Sequence, residues 1–217
     1  MKKGYRFLSI IALIVLAAII GFSMAACNGD SGGGGYEGLG DTINWTGLDV
    51  TNTSGITDFG YIEDHDYGGI SPLSTFLNGT NVVTISGGKL TILLGSPKSM
   101  YLEYLDMDDF ASDISAKGFF IRNFYGSDGV DDYFLSCQKD EDNVACLVYV
   151  DKDVTLNGLF DDDDPSVTIW RYLFFDNVKL KAGWNFMIES LDWGTDTIIW
   201  TSKTPDSSYK WVVKESD

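Results

Sequence analysis

Three cysteines, one histidine and 32 carboxylates are the side chains with which this 217-residue chain could do chemistry. Cys137 and Cys146 fall on consecutive predicted strands, joined by Lys139-Asp140-Glu141-Asp142-Asn143. If the two face each other, Glu141-Asp142 forms the turn. A disulfide then fits, provided the Cα atoms approach closer than about 7 Å. The competing reading is two small buried thiols, a common fate of free cysteine. Alternation groups Cys137 with Leu135 and Tyr133, and Cys146 with Val148 and Val150. Two cysteines and one distant histidine make a poor zinc set. His65 lies in Glu63-Asp64-His65-Asp66, either a cation site or a solvated acidic loop.

Acidic runs recur at 106–109, 128–132, 140–142, 151–153 and 161–164. Hard oxygen ligands suit Ca²⁺, and Asp161, Asp162, Asp163 and Asp164 are the weak candidates. Their run leads into Pro165, with no central Gly and no terminal Glu, so it is no EF-hand loop. Asp also favours turns on its own account, and solvated turns are the simpler expectation. Apart from that calcium option no cofactor is expected. Paired carboxylates could hydrolyse glycosides. In a chain this acidic some pair always exists, so its presence says little.

Aromatic residues offer a second chemistry. The segment 167–175 carries Thr168, Trp170, Tyr172 and Phe174 on one face, and Ile169, Arg171, Leu173 and Phe175 on the other. An open Trp170/Tyr172 face would stack on a sugar ring, with Trp193 and Trp200 as further candidates. Core packing is the plainer use of such rings.

Cys27 is the residue with the most specific surroundings. Lys2, Lys3 and Arg6 precede a charge-free stretch from Leu8 to Ala26, which ends Phe22-Ser23-Met24-Ala25-Ala26-Cys27. That order of basic, apolar and small residues is a secretory leader. Its length alone would also suit an uncleaved membrane helix. The small residues before Cys27 and the Gly-rich tether after it favour cleavage. The segment resembles the signal peptide and lipobox of bacterial lipoproteins, with Met24 standing where Leu is usual. The resemblance implies export, cleavage before Cys27, and a diacylglyceryl thioether on that sulfur. Each acyl CH₂ contributes on the order of 0.8 kcal/mol, so two or three chains hold firmly. Asn28, in place of an inner-membrane-retaining Asp, implies outer-membrane delivery. Gly29-Asp30-Ser31-Gly32-Gly33 spells a serine-protease nucleophile, but it lies in the tether, and the chain order of serine and histidine is reversed for that family.

Residues 1–26 hold three of the 15 Lys+Arg and none of the 32 Asp+Glu, leaving a net charge of about −20 on the remainder. Such a field repels nucleic acid, so no nucleic-acid partner is expected. The partners left are the membrane, through the lipid, and an unidentified glycan or protein.

The elements that must position these groups read as strands. They are expected at 80–86, 89–94, 119–125, 133–138, 144–150, 154–156, 167–175, 184–189, 197–202 and 209–213, rich in β-branched and aromatic residues. Gly87-Gly88 marks a two-residue hairpin turn. One or two short helices are expected within 97–116, and mostly loop with one or two edge strands at 46–77. The whole reads as all-β and mainly antiparallel, a two-layer β-sandwich. The leader takes residues 1–26, the tether 27–40, and a single domain 41–217. The stretches Leu147-Val148-Tyr149-Val150-Asp151-Lys152-Asp153-Val154-Thr155-Leu156-Asn157-Gly158, Val178-Lys179-Leu180-Lys181-Ala182-Gly183-Trp184-Asn185 and Ser86-Gly87-Gly88-Lys89-Leu90-Thr91 look like short exported lipoproteins of spirochaete-type bacteria. That likeness implies a location and an all-β architecture, and no chemistry. The expected function is a non-enzymatic envelope lipoprotein of binding or structural type. The alternatives are a carbohydrate-binding module or a carboxylate-based hydrolase.

Overall fold

The computed structural model describes residues 38–51, 55–61, 70–105, 110–161 and 172–216. The leader, Cys27, most of the tether, His65, Asp162–164 and Trp170 lie outside those residues. The described residues form thirteen strands: β1 (Ile43–Thr51), β2 (Val82–Ser86), β3 (Lys89–Leu94), β4 (Glu103–Tyr104), β5 (Lys117–Ile121), β6 (Phe124–Ser127), β7 (Asp132–Gln138), β8 (Asn143–Val150), β9 (Val154–Asp161), β10 (Tyr172–Leu180), β11 (Gly183–Asp192), β12 (Thr197–Thr201) and β13 (Lys210–Glu215). Helix among the described residues is confined to two single 3-10 turns, Leu73–Thr75 and Ser99–Tyr101. No described helix is long and apolar enough to cross a membrane. The fold is all-β and sandwich-like.

The strands run in the order β2-β3-β1-β13-β7-β8-β11-β12-β10-β9. Most neighbours are antiparallel, while β1 with β13 and β10 with β12 are parallel. The Gly87-Gly88 turn forms as expected between β2 and β3. Both glycines have positive φ, the conformation that matches the twist of the flanking strands. β1 departs from the expected loop and edge strands, because it lies inside the sheet between β3 and β13. Its pairing skips Gly47 (φ 75°), and this bulge is why the segment does not read as a strand.

The free edge of β2 is met by residues 57–59: Phe59 N–H donates to Val83 O (3.0 Å) and Ile85 N–H donates to Thr57 O (2.8 Å). Gly60 then exchanges two backbone bonds with Tyr125 on β6. This segment therefore joins β2 to β6, and the sheet closes on itself around β1, β13 and β7.

The expected strand 119–125 is two strands, broken at Arg122-Asn123. β5 pairs with the end of β8, and β6 pairs with β7. The break is the corner where β7 and β8 part. Behind it β8 and β11 are buried on both faces. One face holds Ala145, Leu147, Trp184, Phe186 and Ile188, packed against β1, β3 and β13. The other holds Val144, Cys146, Val148, Val150 and Met187, packed against Leu156, Phe175, Val178, Leu180 and Trp200. Strands β12, β10 and β9 thus curl back over the outside of β8 and β11. Among the described residues the buried side chains form two clusters, one on each face of β8 and β11.

Trp184 fills the first core with no exposed surface, and its indole N–H donates to Gly95 O at 3.2 Å. Gly183 precedes it at φ 99°, close against Gly40. Trp184 N–H donates to Gly40 O (2.7 Å) and Leu39 N–H donates to Trp184 O (2.6 Å). A side chain at 183 would separate these two backbones.

Candidate functional site

The second core is not filled to its edge. A cavity of about 450 Å³ lies where β5 and β4 meet the curled strands. Its inner wall is Val148, Leu156, Phe175, Leu180, Met187 and Trp200. Its mouth carries Met100, Tyr104 and Phe120, which are 78%, 60% and 37% exposed. Burial of such side chains is the ordinary outcome, so three adjacent to one opening stand out. Phe120 meets Trp200 edge to face, with ring centroids 5.6 Å apart. Glu103 is the only carboxylate among the described lining residues. Lys117 Nζ lies 4.4 Å from the centroid of the Tyr104 ring.

Strand alternation explains this wall. Phe120 lies opposite Val148, and Phe175 opposite Trp200, so all four point to the same side. Glycine at 118, opposite Val150, keeps the β5 end of that surface low.

Beside Trp200, paired with it from β11, is Glu189. It is buried to 4% and forms a bidentate ion pair with Arg122 from the corner: Nη2 donates to Oε1 at 2.5 Å and Nε to Oε2 at 3.2 Å. Desolvation alone would lower the Arg122 pKa, but the Glu189 carboxylate outweighs it and the net direction is upward. Arg122 also borders a polar cleft of about 480 Å³ with Asn123, Tyr125, Gln138 and Lys214. The ion pair therefore stands between an apolar cavity and a polar one.

The two cysteines are not brought together. Cys137 pairs with Ala145, not Cys146, and Lys139 N–H donates to Asn143 O (3.0 Å). The turn has three residues instead of two, because Asp140 Oδ1 accepts from Asp142 N–H (3.1 Å) and Asn143 Nδ2 (2.7 Å). Leu191 N–H holds Asp142 O at 2.8 Å, and Ser190 Oγ donates to Asn143 Oδ1. One residue of register moves Cys146 to the opposite face, so the thiols lie in different cores and no disulfide joins them. Burial pushes the Cys146 thiol well up, and Glu189 adds to it.

The aromatic platform is divided too. Trp200 points into the cavity, 8% exposed, whereas Tyr172 is half-buried on the other face of the sheet beside Phe174. Trp193 is 65% exposed in the β11–β12 turn, with its indole N–H on Asp142 Oδ1 at 2.7 Å. Trp170 lies outside the described residues. The strand expected to end at Phe175 runs on to Leu180, through a bulge at Asp176-Asn177.

The described acidic runs serve turns. Asp128 Oδ1 accepts from Val130 and Asp131 N–H, and these bonds hold its carboxyl below the usual range. Asp153 bonds Lys181 Nζ and Ala182 N–H, with the same effect. Asp161 ends β9 opposite Tyr172, and Asp162, Asp163 and Asp164 lie outside the described residues. Among the described residues no three His, Cys, Asp or Glu side chains gather as a metal site.

Sequence reasoning missed the Arg122–Glu189 pair and the cavity mouth. Arg122 carried one readable signal, a charged residue between two short apolar runs. No protein-family model, no curated protein and no solved structure matches this chain.

Proposed function

We propose that this chain is an exported, lipid-anchored envelope protein that binds a small apolar ligand in the cavity beneath β5. The observation that carries the binding role is the aromatic cavity with its exposed apolar mouth. A volume near 450 Å³ is within the roughly 300–1,000 Å³ of small-molecule sites, and such sites are mostly hydrocarbon-lined. A hydrolase needs two carboxylates flanking the scissile bond. The described lining supplies Glu103 alone, which supports binding over hydrolysis. A glycan platform has less support, because Tyr172, Trp193 and Trp200 occupy three separate places. The lipid anchor is supported by the residues around Cys27.

The test of binding uses the neutral dye N-phenyl-1-naphthylamine. Its fluorescence should rise on mixing, with energy transfer from Trp200. Leu173, a half-buried lining residue, becomes tryptophan in a variant that fills the cavity, and that variant should lose most of the rise while keeping its circular dichroism. An unchanged rise in Leu173→Trp, or none in the parent, overturns the binding reading. For the anchor, the parent should incorporate labelled palmitate in a bacterial host and Cys27→Ser should not. Palmitate label retained in Cys27→Ser, or absent from the parent, overturns the anchor.

A further inference from the structure

Resting on the reading of this cavity as a ligand site, we propose that its ligand is an apolar molecule ending in a cationic group, seated with its charge at the β4–β5 mouth. Three observations point the same way. Glu103, opposite Gly118 on β4, is the one carboxylate among the described lining residues, and no described lining residue is cationic. The open aromatic ring at the mouth is Phe120, whose face attracts cations, whereas the Tyr104 face is taken by the Lys117 ammonium, 4.4 Å from its centroid. The chain beyond residue 26 carries about −20, so its field concentrates cations and repels anions. An anionic amphiphile would put its head against Glu103 inside that field. A cationic one buries the same hydrocarbon and meets a carboxylate and ring faces instead. Glu103 is exposed, so its contribution is local and is screened over about 8 Å at physiological salt.

The experiment compares decyltrimethylammonium, decanol and decanoate, each below its micellar concentration, by calorimetry on the folded protein in 0.15 M salt. The ammonium should bind at least fivefold tighter than decanoate, with decanol between. Glu103→Gln should halve the ammonium-to-decanol ratio or reduce it further. Asp49→Asn, which removes an exposed carboxylate on β1, should leave that ratio unchanged. Decanoate binding as tightly as the ammonium overturns this inference and leaves the cavity reading standing. So does a ratio that Glu103→Gln does not move. Failure of all three probes removes the cavity reading and this inference with it.

Discussion

Replacing Arg122 by alanine would leave Glu189 ionised and alone inside the second core. Glu189 has a side chain only 6% exposed, and both of its oxygens are held by Arg122. Breaking a buried pair from one side costs about 3–5 kcal/mol, because the remaining charge has lost its partner. The Arg122 side chain is 45% exposed, so water screens the pair at that end, and we expect about 2–3 kcal/mol. Against a total of about 5–15 kcal/mol this is a large fraction. The assay is urea unfolding at pH 7, followed by tryptophan fluorescence. Arg122→Ala with Glu189→Gln should recover at least half the loss. A deficit below about 1 kcal/mol, or no recovery in the double variant, would refute a buried, Arg-dependent Glu189.

Three further outcomes are expected. Cys137 and Cys146 should resist iodoacetamide in the folded protein and alkylate fully in urea, with no mass change on reduction alone, since both are buried in separate cores; a disulfide mass would overturn the register of β7 on β8. The Tyr209 phenol is pushed up to about 12 by burial first, then by the negative charge of Asp206 and Asp140. The stability it contributes is present below pH 10 and lost as pH rises from 10 to 12, about 1 kcal/mol for a half-buried group, and Tyr209→Phe should flatten that slope in alkaline unfolding curves. Gly183→Ala puts a methyl 2.6 Å from the Gly40 backbone at a φ of 99°, so Tm should fall by about 4–8 °C, corresponding to about 2 kcal/mol; a fall below 1 °C would show that the Gly40 contact is dispensable.

Strand identity was legible where local chemistry decides it. Gly87-Gly88 supplies two residues free to take the positive φ a tight hairpin turn needs, and alternation along β3 buries Leu90, Ile92 and Leu94 on one face. Register was harder, because it depends on partners far along the chain. The β7–β8 turn takes its third residue from Asp140, and its bond to Leu191 comes from β11. A two-residue turn looks equally good from the local sequence, and that single slip put the cysteines on one face. Asp176-Asn177 and Gly47 read as strand ends because bulges use the residues that turns use. The candidate site was least legible. Val148, Leu156, Phe175, Met187 and Trp200 are each unremarkable core residues, and only the curl of β12, β10 and β9 leaves a gap among them. Glu189 ends the expected strand 184–189, and its partner Arg122 lies 67 residues away, beyond any local pattern.

The parallel pairing of β1 with β13 sets Val50 opposite Trp211. The first strand of the fold therefore waits for the last. A chain made from its N-terminus cannot complete the central layer until residue 215 is free, and until then β1 has only the β2–β3 hairpin to lean on. Contacts of such long sequence separation delay closure and make folding slow. A truncation just before Lys210 should leave a long-lived, protease-sensitive chain in which most strands are present and none is locked.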